Sequence, residues 1–335
     1  MAKKTTQIDP FNPPYPPTYT STGGSLRDLQ CIRALAHYGM LPTRHIRHLL
    51  GEYYGKQVMT RLNKGHYIGV SKHAELLTMD ARNREYVWEA KPRGETLVGV
   101  KASRLDRGKH KLMCSVIRFS FDIAVQEIEG LRLIPLKEIL ERDTCPHATR
   151  SENNPNEIPL PNGTTIKPDG DLFGYEYTLP DGRKRYFYLH GFEANRATET
   201  YFPGTQTAEK KKNIKKMIEG YTAYLEKQLY KTRYGISNIS IAIVCNSEQD
   251  LKNVAKVIEA VVPKYLLPYF LLTWIDGFLD APNKERKPYP PPTGDLVTRD
   301  WYRVGNTPQN ILAVLKGEGH GRATTDENRG ATKAA

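Results

Sequence analysis

The chain has 335 residues, 39% of them apolar and 26% charged, and carries a formal net charge of +12. That is length and apolar content enough for two ordinary domains, and the cationic excess points to a polyanion, nucleic acid or an acidic membrane surface, as partner. Cys31, Cys114, Cys145 and Cys245 form no Cys-x-x-Cys pair, which counts against a zinc ribbon and a disulfide framework. No apolar run approaches the length of a membrane span, and the start Met1-Ala2-Lys3-Lys4 lacks an apolar signal core. The expectation is a cytoplasmic protein with no membrane partner.

Residues 1–24 hold Pro10, Pro13, Pro14, Pro16 and Pro17 before Gly23 and Gly24, and read as an extended or disordered arm. Order is expected from Ser25, a candidate N-cap. Leu26, Leu29, Ile32 and Ala36 give one helix an apolar face, and Gly39 ends it. Leu41-Pro42-Thr43 reads as a turn, with Thr43 placed to cap a second helix that has Ile46, Leu49 and Leu50 inward. A third helix runs from about Tyr54 to Lys64 with Val58, Met59 and Leu62 apolar. Strands follow near Tyr67–Val70 and Glu85–Trp88, with a polar turn between them.

Three short helices and a two-stranded ribbon, in that order, are the parts of a winged helix-turn-helix, whose third helix enters the major groove. Here that helix exposes Lys56, Gln57, Thr60, Arg61, Asn63 and Lys64. Lysine and arginine neutralise phosphates, while glutamine, asparagine and arginine reach base edges. Arg44, His45 and Arg47 are positioned to meet the flanking backbone, and Arg82 and Arg84 to make a wing contact. Between Leu26 and Lys111 there are 17 Lys/Arg against 8 Asp/Glu, a net of +9, so this segment carries most of the polyanion signal. The expected partner is double-stranded DNA, bound through a domain at 25–105.

A long amphipathic helix is expected from about Lys109 to Glu129, then a strand at 131–136 and a surface loop from Arg142 to Pro161. A strand from Ile166 to Tyr177 opens on a Pro168-Asp169-Gly170 turn, Asp181-Gly182 makes a hairpin, and Tyr186–Glu193 returns. A helix bearing Ile214, Ile218, Tyr221 and Leu225 follows. Next come a strand at Ile239–Val244, a helix capped by Ser247 and a last strand at Tyr265–Ile275. This gives a second domain at 106–280, a mixed sheet with helices on both faces, and a tail at 281–335 that lacks apolar spacing from about Lys316. The fold class is α+β or α/β.

Asp169, before one strand of the hairpin, and Glu193, near the end of its partner, form a candidate carboxylate pair for a divalent metal, Mg²⁺ or Mn²⁺, that would polarise a phosphodiester. Asp171 or Glu176 could stand in for Asp169. Nucleases of this design also place a lysine two residues after the second acid, where this chain has Asn195, and Arg196 points to the other face. Lys210 or Lys211, one turn before the next helix, could supply the cation. His190, an odd number of residues from Glu193, is expected on the opposite face, in packing.

The basic winged helix, the helix beginning Lys109-His110, Lys167-Pro168-Asp169-Gly170, Phe192-Glu193-Ala194-Asn195-Arg196 and a lysine-rich helix with Tyr221 and Tyr224 together resemble the replication-relaxation family of plasmids, phages and mobile elements. The resemblance spans about residues 25 to 275. It implies a winged-helix DNA-binding domain fused to a PD-(D/E)xK (restriction-endonuclease-like) nuclease fold, with other replication or transfer proteins as further partners. It also implies a Glu-x-Asp strand, from which Asn195 departs, and that departure counts against metal binding and cutting. Three readings stand: an accessory DNA-binding protein with a nuclease-like domain that no longer cuts; an active metal-dependent nuclease or nicking enzyme using Asp169, Glu193 and Lys211; and a protein-interaction module built on the winged helix.

Overall fold

The structure, a computed structural model, describes residues 26–70, 86–99, 108–195, 214–275, 292–318 and 324–325. An N-terminal helical region is followed by a large mixed β-sheet with helices on both sides. The chain forms two compact units, one taking it up to Phe119 and the other taking it from Ser120 and including the described residues from Thr293 on.

In the first unit α1 (Leu26–Tyr38) leads through β1 (Leu41–Pro42) to α2 (Thr43–Leu50) and α3 (Glu52–Lys64). Then come β2 (Ile68–Val70), β3 (Val87–Ala90) and α4 (Pro92–Val98), before α5 (Gly108–Glu127), which crosses from one unit into the other. The strands form a small antiparallel sheet in the order β1-β3-β2. Of the positions the helical spacing turns inward, Ile32, Ala36, Ile46, Leu50, Val58, Met59 and Leu62 are buried, and Leu29 and Leu49 are half-buried. Gly55 lets α2 and α3 cross closely, because a Cβ there would meet the Arg47 backbone. Two local expectations change. Residues Leu41 and Pro42, expected as a turn, pair with Trp88 and Val87. Thr43 does not cap α2; its hydroxyl donates to the Tyr86 carbonyl at 2.9 Å and accepts from the Trp88 indole at 3.0 Å, tying the helix to β3.

The second unit is built on β4 (Leu131–Pro135), β7 (Phe173–Thr178), β8 (Lys184–Asn195), β9 (Ser240–Cys245), β10 (Phe270–Trp274), β11 (Asp300–Arg303) and β12 (Asn306–Asn310), hydrogen-bonded in that order. β13 (Thr324–Thr325) pairs with the start of β8. β8, β9 and β10 run parallel, and the rest of the ladder is antiparallel. Short pieces intervene: α6 (Leu136–Glu141), α7 (His147–Arg150), and the pair β5 (Ile158–Pro159) and β6 (Thr165–Ile166). On one face α8 (Ile214–Glu226), α9 (Leu229–Tyr234) and α10 (Glu248–Val261) bury Ile218, Tyr221, Tyr224, Leu251 and Val254 against Tyr186, Tyr188, Ile241 and Ile243. On the other, Phe121 of α5 packs against Phe173 and stacks on Trp301.

Four stretches differ from expectation. The strand expected from Ile166 to Tyr177 begins at Phe173, and Thr165–Ile166 pairs separately with β5. The segment 142–161 is not a surface loop throughout, since Ile158 and Leu160 are buried in the core. The strand expected from Tyr265 starts at Phe270, after a 3₁₀ turn at Lys264–Tyr269. Residues placed in a tail after 281 instead form α11 (Asp295–Thr298), β11, β12 and α12 (Ile311–Lys316), and Trp301 is fully buried. Among the described residues no helix is long and apolar enough to cross a membrane. All four cysteines are free.

Candidate functional site

The exposed face of α3 is made of Lys56, Gln57, Thr60, Arg61, Asn63 and Lys64. Arg61 is committed as well as exposed. Its Nη2 meets Asp28 Oδ1 at 2.5 Å and its Nε meets Oδ2 at 3.2 Å, a two-pronged pair with a buried carboxylate on α1. Thr60 returns its hydroxyl to the Lys56 carbonyl. On α2, Arg44 and Arg47 are half-buried, and His45 is a correction: it is buried with its ring 5.0 Å from that of Phe119. Burial first, then the charges of Arg44 and His48, lower its pKa to about 3, so it is a neutral packing residue and not a phosphate contact. Arg82 and Arg84 lie outside the described residues.

In the second unit the acid pair is assembled by a close approach of two backbones. The loop around Gly170 docks on β8, with Gly170 N–H donating to the Phe192 carbonyl at 3.2 Å. Gly191 has φ +57°, and a Cβ on it would run into the Gly170 carbonyl oxygen; a Cβ on Gly170 would strike the Phe192 ring. Both glycines are therefore required for this contact. It brings Asp169 onto the strand, where its Oδ2 accepts from Ala194 N–H at 3.0 Å, next to Glu193.

Gly191 also changes which way β8 faces. Between Leu189 and Phe192 the register slips, so that three steps on β8 match two on β9. This bulge breaks the alternation that placed His190 opposite Glu193. Both face α8: Glu193 Oε1 accepts from Tyr221 Oη–H at 2.5 Å, and His190 Nδ1 lies 3.1 Å from Tyr224 Oη. His190 is nonetheless a packing residue, as expected, set among Tyr221, Tyr224 and Tyr234. Burial, with the Arg233 charge second, lowers its pKa to about 3.

Glu193 is only 3% exposed. Burial and then the charge of Glu193 push the Tyr221 phenol well up, with Asp169 adding to the effect, so the phenol keeps its proton and donates it toward the carboxylate. The lysine position is closed in a different way. Asn195 is buried, its Nδ2 donates to Asp250 Oδ1 at 3.1 Å, and it also hydrogen-bonds Cys245. Asp250 is 2% exposed, its Oδ2 has no hydrogen-bond partner among the described residues, and burial raises its pKa to about 6.

Of the two alternatives to Asp169, one is bound to cations and the other lies at the surface. Glu176 is held by Arg132 at 2.9 Å and Lys184 at 2.7 Å; burial pushes its carboxyl up, but those cations outweigh it and leave it at about 2. Asp171 is exposed. Lys210, Lys211 and Arg196 lie outside the described residues. Among the described residues Glu193 belongs to no group of three ligand atoms close enough to share an ion, and one oxygen of each acid is already engaged.

Sequence reasoning missed Tyr221 as a polar partner and Asp250 altogether. A signal for the second existed: Ser247 and Asp250 stand three apart at a helix start, and Ser247 Oγ does accept from Asp250 N–H. No family model matches the chain, and no curated protein or solved structure matches it.

Proposed function

We propose that this chain is a DNA-binding accessory protein of a plasmid, phage or mobile element, serving replication, DNA transfer or transcription control. In this reading the first unit is a winged helix-turn-helix and the second a PD-(D/E)xK nuclease-like domain that no longer cuts. The host process rests on the family resemblance. The DNA reading rests on α3, an amphipathic helix whose outer face from Lys56 to Lys64 offers Lys56, Gln57, Asn63 and Lys64 and no acid. Its place after a tightly crossed α2 and before an antiparallel ribbon supports the winged-helix assignment.

The nuclease-like assignment is supported by the order helix, three antiparallel strands, helix, parallel strand (α5, β4, β7, β8, α8, β9), with the acids at the β7 entrance and the β8 end. Loss of cutting is supported by Asn195, tied to Asp250 where a lysine would serve. The test is a titration of duplex DNA over a range of salt. Lys56→Ala with Lys64→Ala should weaken binding and reduce the salt slope by about 2, since each lost phosphate contact releases one fewer counterion. An unchanged slope removes α3 from the interface. Supercoiled plasmid with Mg²⁺ or Mn²⁺ should shift without being nicked. Nicking that EDTA and Glu193→Ala both abolish would restore the active-nuclease reading.

A further inference from the structure

Asp28 stands in the first turn of α1, one turn before the buried Ile32, and is itself only 3% exposed. A carboxylate so placed is tolerated when a cation sits on it, and Arg61 of α3 is that cation. Val58 and Leu62, on either side of Arg61 along α3, are buried, so both ends of the pair stand on packed helices. The Arg61 side chain nonetheless stays 55% exposed, against 4% for that of Asp28.

The edge of the guanidinium that Asp28 takes decides what the residue can do. The group is planar, with Nε and Nη2 along its side edge and Nη1 and Nη2 along its end edge. Asp28 grips the side edge, Nη2 on Oδ1 at 2.5 Å and Nε on Oδ2 at 3.2 Å. Because that carboxylate is buried, the solvent-facing part of the group is the edge away from it, on a helix face shared with Lys56, Gln57 and Lys64. The end edge carries two parallel N–H groups. Guanine matches it in the major groove with two acceptors, O6 and N7. Adenine sets an amino donor beside its N7, thymine offers one acceptor and cytosine a donor. A guanidinium held in one orientation before binding loses less freedom on reading a base. A phosphate gains little from such fixing, since the swivelling ammonium of Lys56 or Lys64 neutralises it as well.

We propose that Arg61 reads a guanine in the major groove through its end edge, with Asp28 as the residue that positions it. The proposal rests on the DNA reading above and adds a base to it. Duplexes that the full chain enriches from a random-sequence pool should share a guanine. Replacing each guanine in turn by 7-deazaguanine removes the N7 acceptor and leaves pairing and backbone unchanged. At one position this should weaken wild-type binding about tenfold. Arg61→Lys keeps the charge and loses the fork, so it should retain the salt slope and be indifferent to the deaza base. Asp28→Asn keeps Arg61 itself and should retain the slope while losing most of the deaza effect, which a merely structural role would not move. Circular dichroism checks that both variants fold, and the wild-type deaza scan stands without them.

The Lys56→Ala, Lys64→Ala protein should show the reverse pattern, a smaller salt slope with the same dependence on guanine N7. Failure of the two readings is therefore separable. Wild-type binding that no deaza substitution weakens, or an effect equal in wild type and Arg61→Lys, overturns the guanine contact and leaves α3 a phosphate-binding face. A chain that binds no duplex overturns the α3 reading and this one with it.

Discussion

Asp250 holds a carboxyl group where burial opposes its charge. Asn195 satisfies one oxygen, the other has no hydrogen-bond partner among the described residues, and burial raises the pKa from 3.8 to about 6. The sign of the linkage follows. Below about pH 4 the group is protonated in the folded and unfolded chain alike, and costs nothing. Between the two values the unfolded chain ionises first, so stability falls as pH rises, and above about pH 6 the full penalty is in place. Asp250→Asn keeps an acceptor for Asn195 and removes the charge. It should stabilise the protein by about 1–2 kcal/mol at pH 8, discounted for solvent screening, and by little at pH 4. Urea melts of both proteins at the two pH values measure this. Equal stability at pH 8 would mean that Asp250 ionises without cost.

At the scale of elements, the basic helix α3 is locked to α1 through Arg61 and Asp28. Arg61→Ala deprives a buried carboxylate of its two-pronged partner, at a cost of about 1–3 kcal/mol, whereas Lys56→Ala removes an exposed side chain and should cost almost nothing. Thermal melts of the two variants without DNA distinguish the roles. If Arg61→Ala melts like the wild type, the latch has no weight.

The helices with a sustained apolar stripe were legible: α1, α3, α5, α8 and α10 lie where the spacing of Ile, Leu and Val places them. The two-residue β1, the seven-residue α4 and the short elements from Asp295 to Lys316 were not, because each is too short to show a period and is held by its partners. The acid pair was legible from the turn before β7 and the length of β8. The face of His190 was not, because parity counting assumes regular alternation and Gly191 interrupts it with a bulge.

For the second unit as a whole, the described C-terminal residues complete the sheet. Leu296, Val297, Trp301, Ile311, Val314 and Leu315 are all buried, and Trp301 stacks on Phe121 with its indole N–H on the Leu296 carbonyl at 2.8 Å. At about 2 kcal/mol each their burial is worth roughly 12 kcal/mol gross, comparable to the entire net stability of a typical domain. A chain ending at residue 291 would lose this and leave β10 as a bare apolar edge. It should fail to give a cooperative melt and should accumulate as aggregate, with the loss seen by circular dichroism and in the soluble fraction. The full chain with Trp301→Ala tests the same point more gently, and should melt cooperatively but lose about 3–5 kcal/mol. A 1–291 chain that melted near the wild-type temperature would show that β4 to β10 close a core of their own.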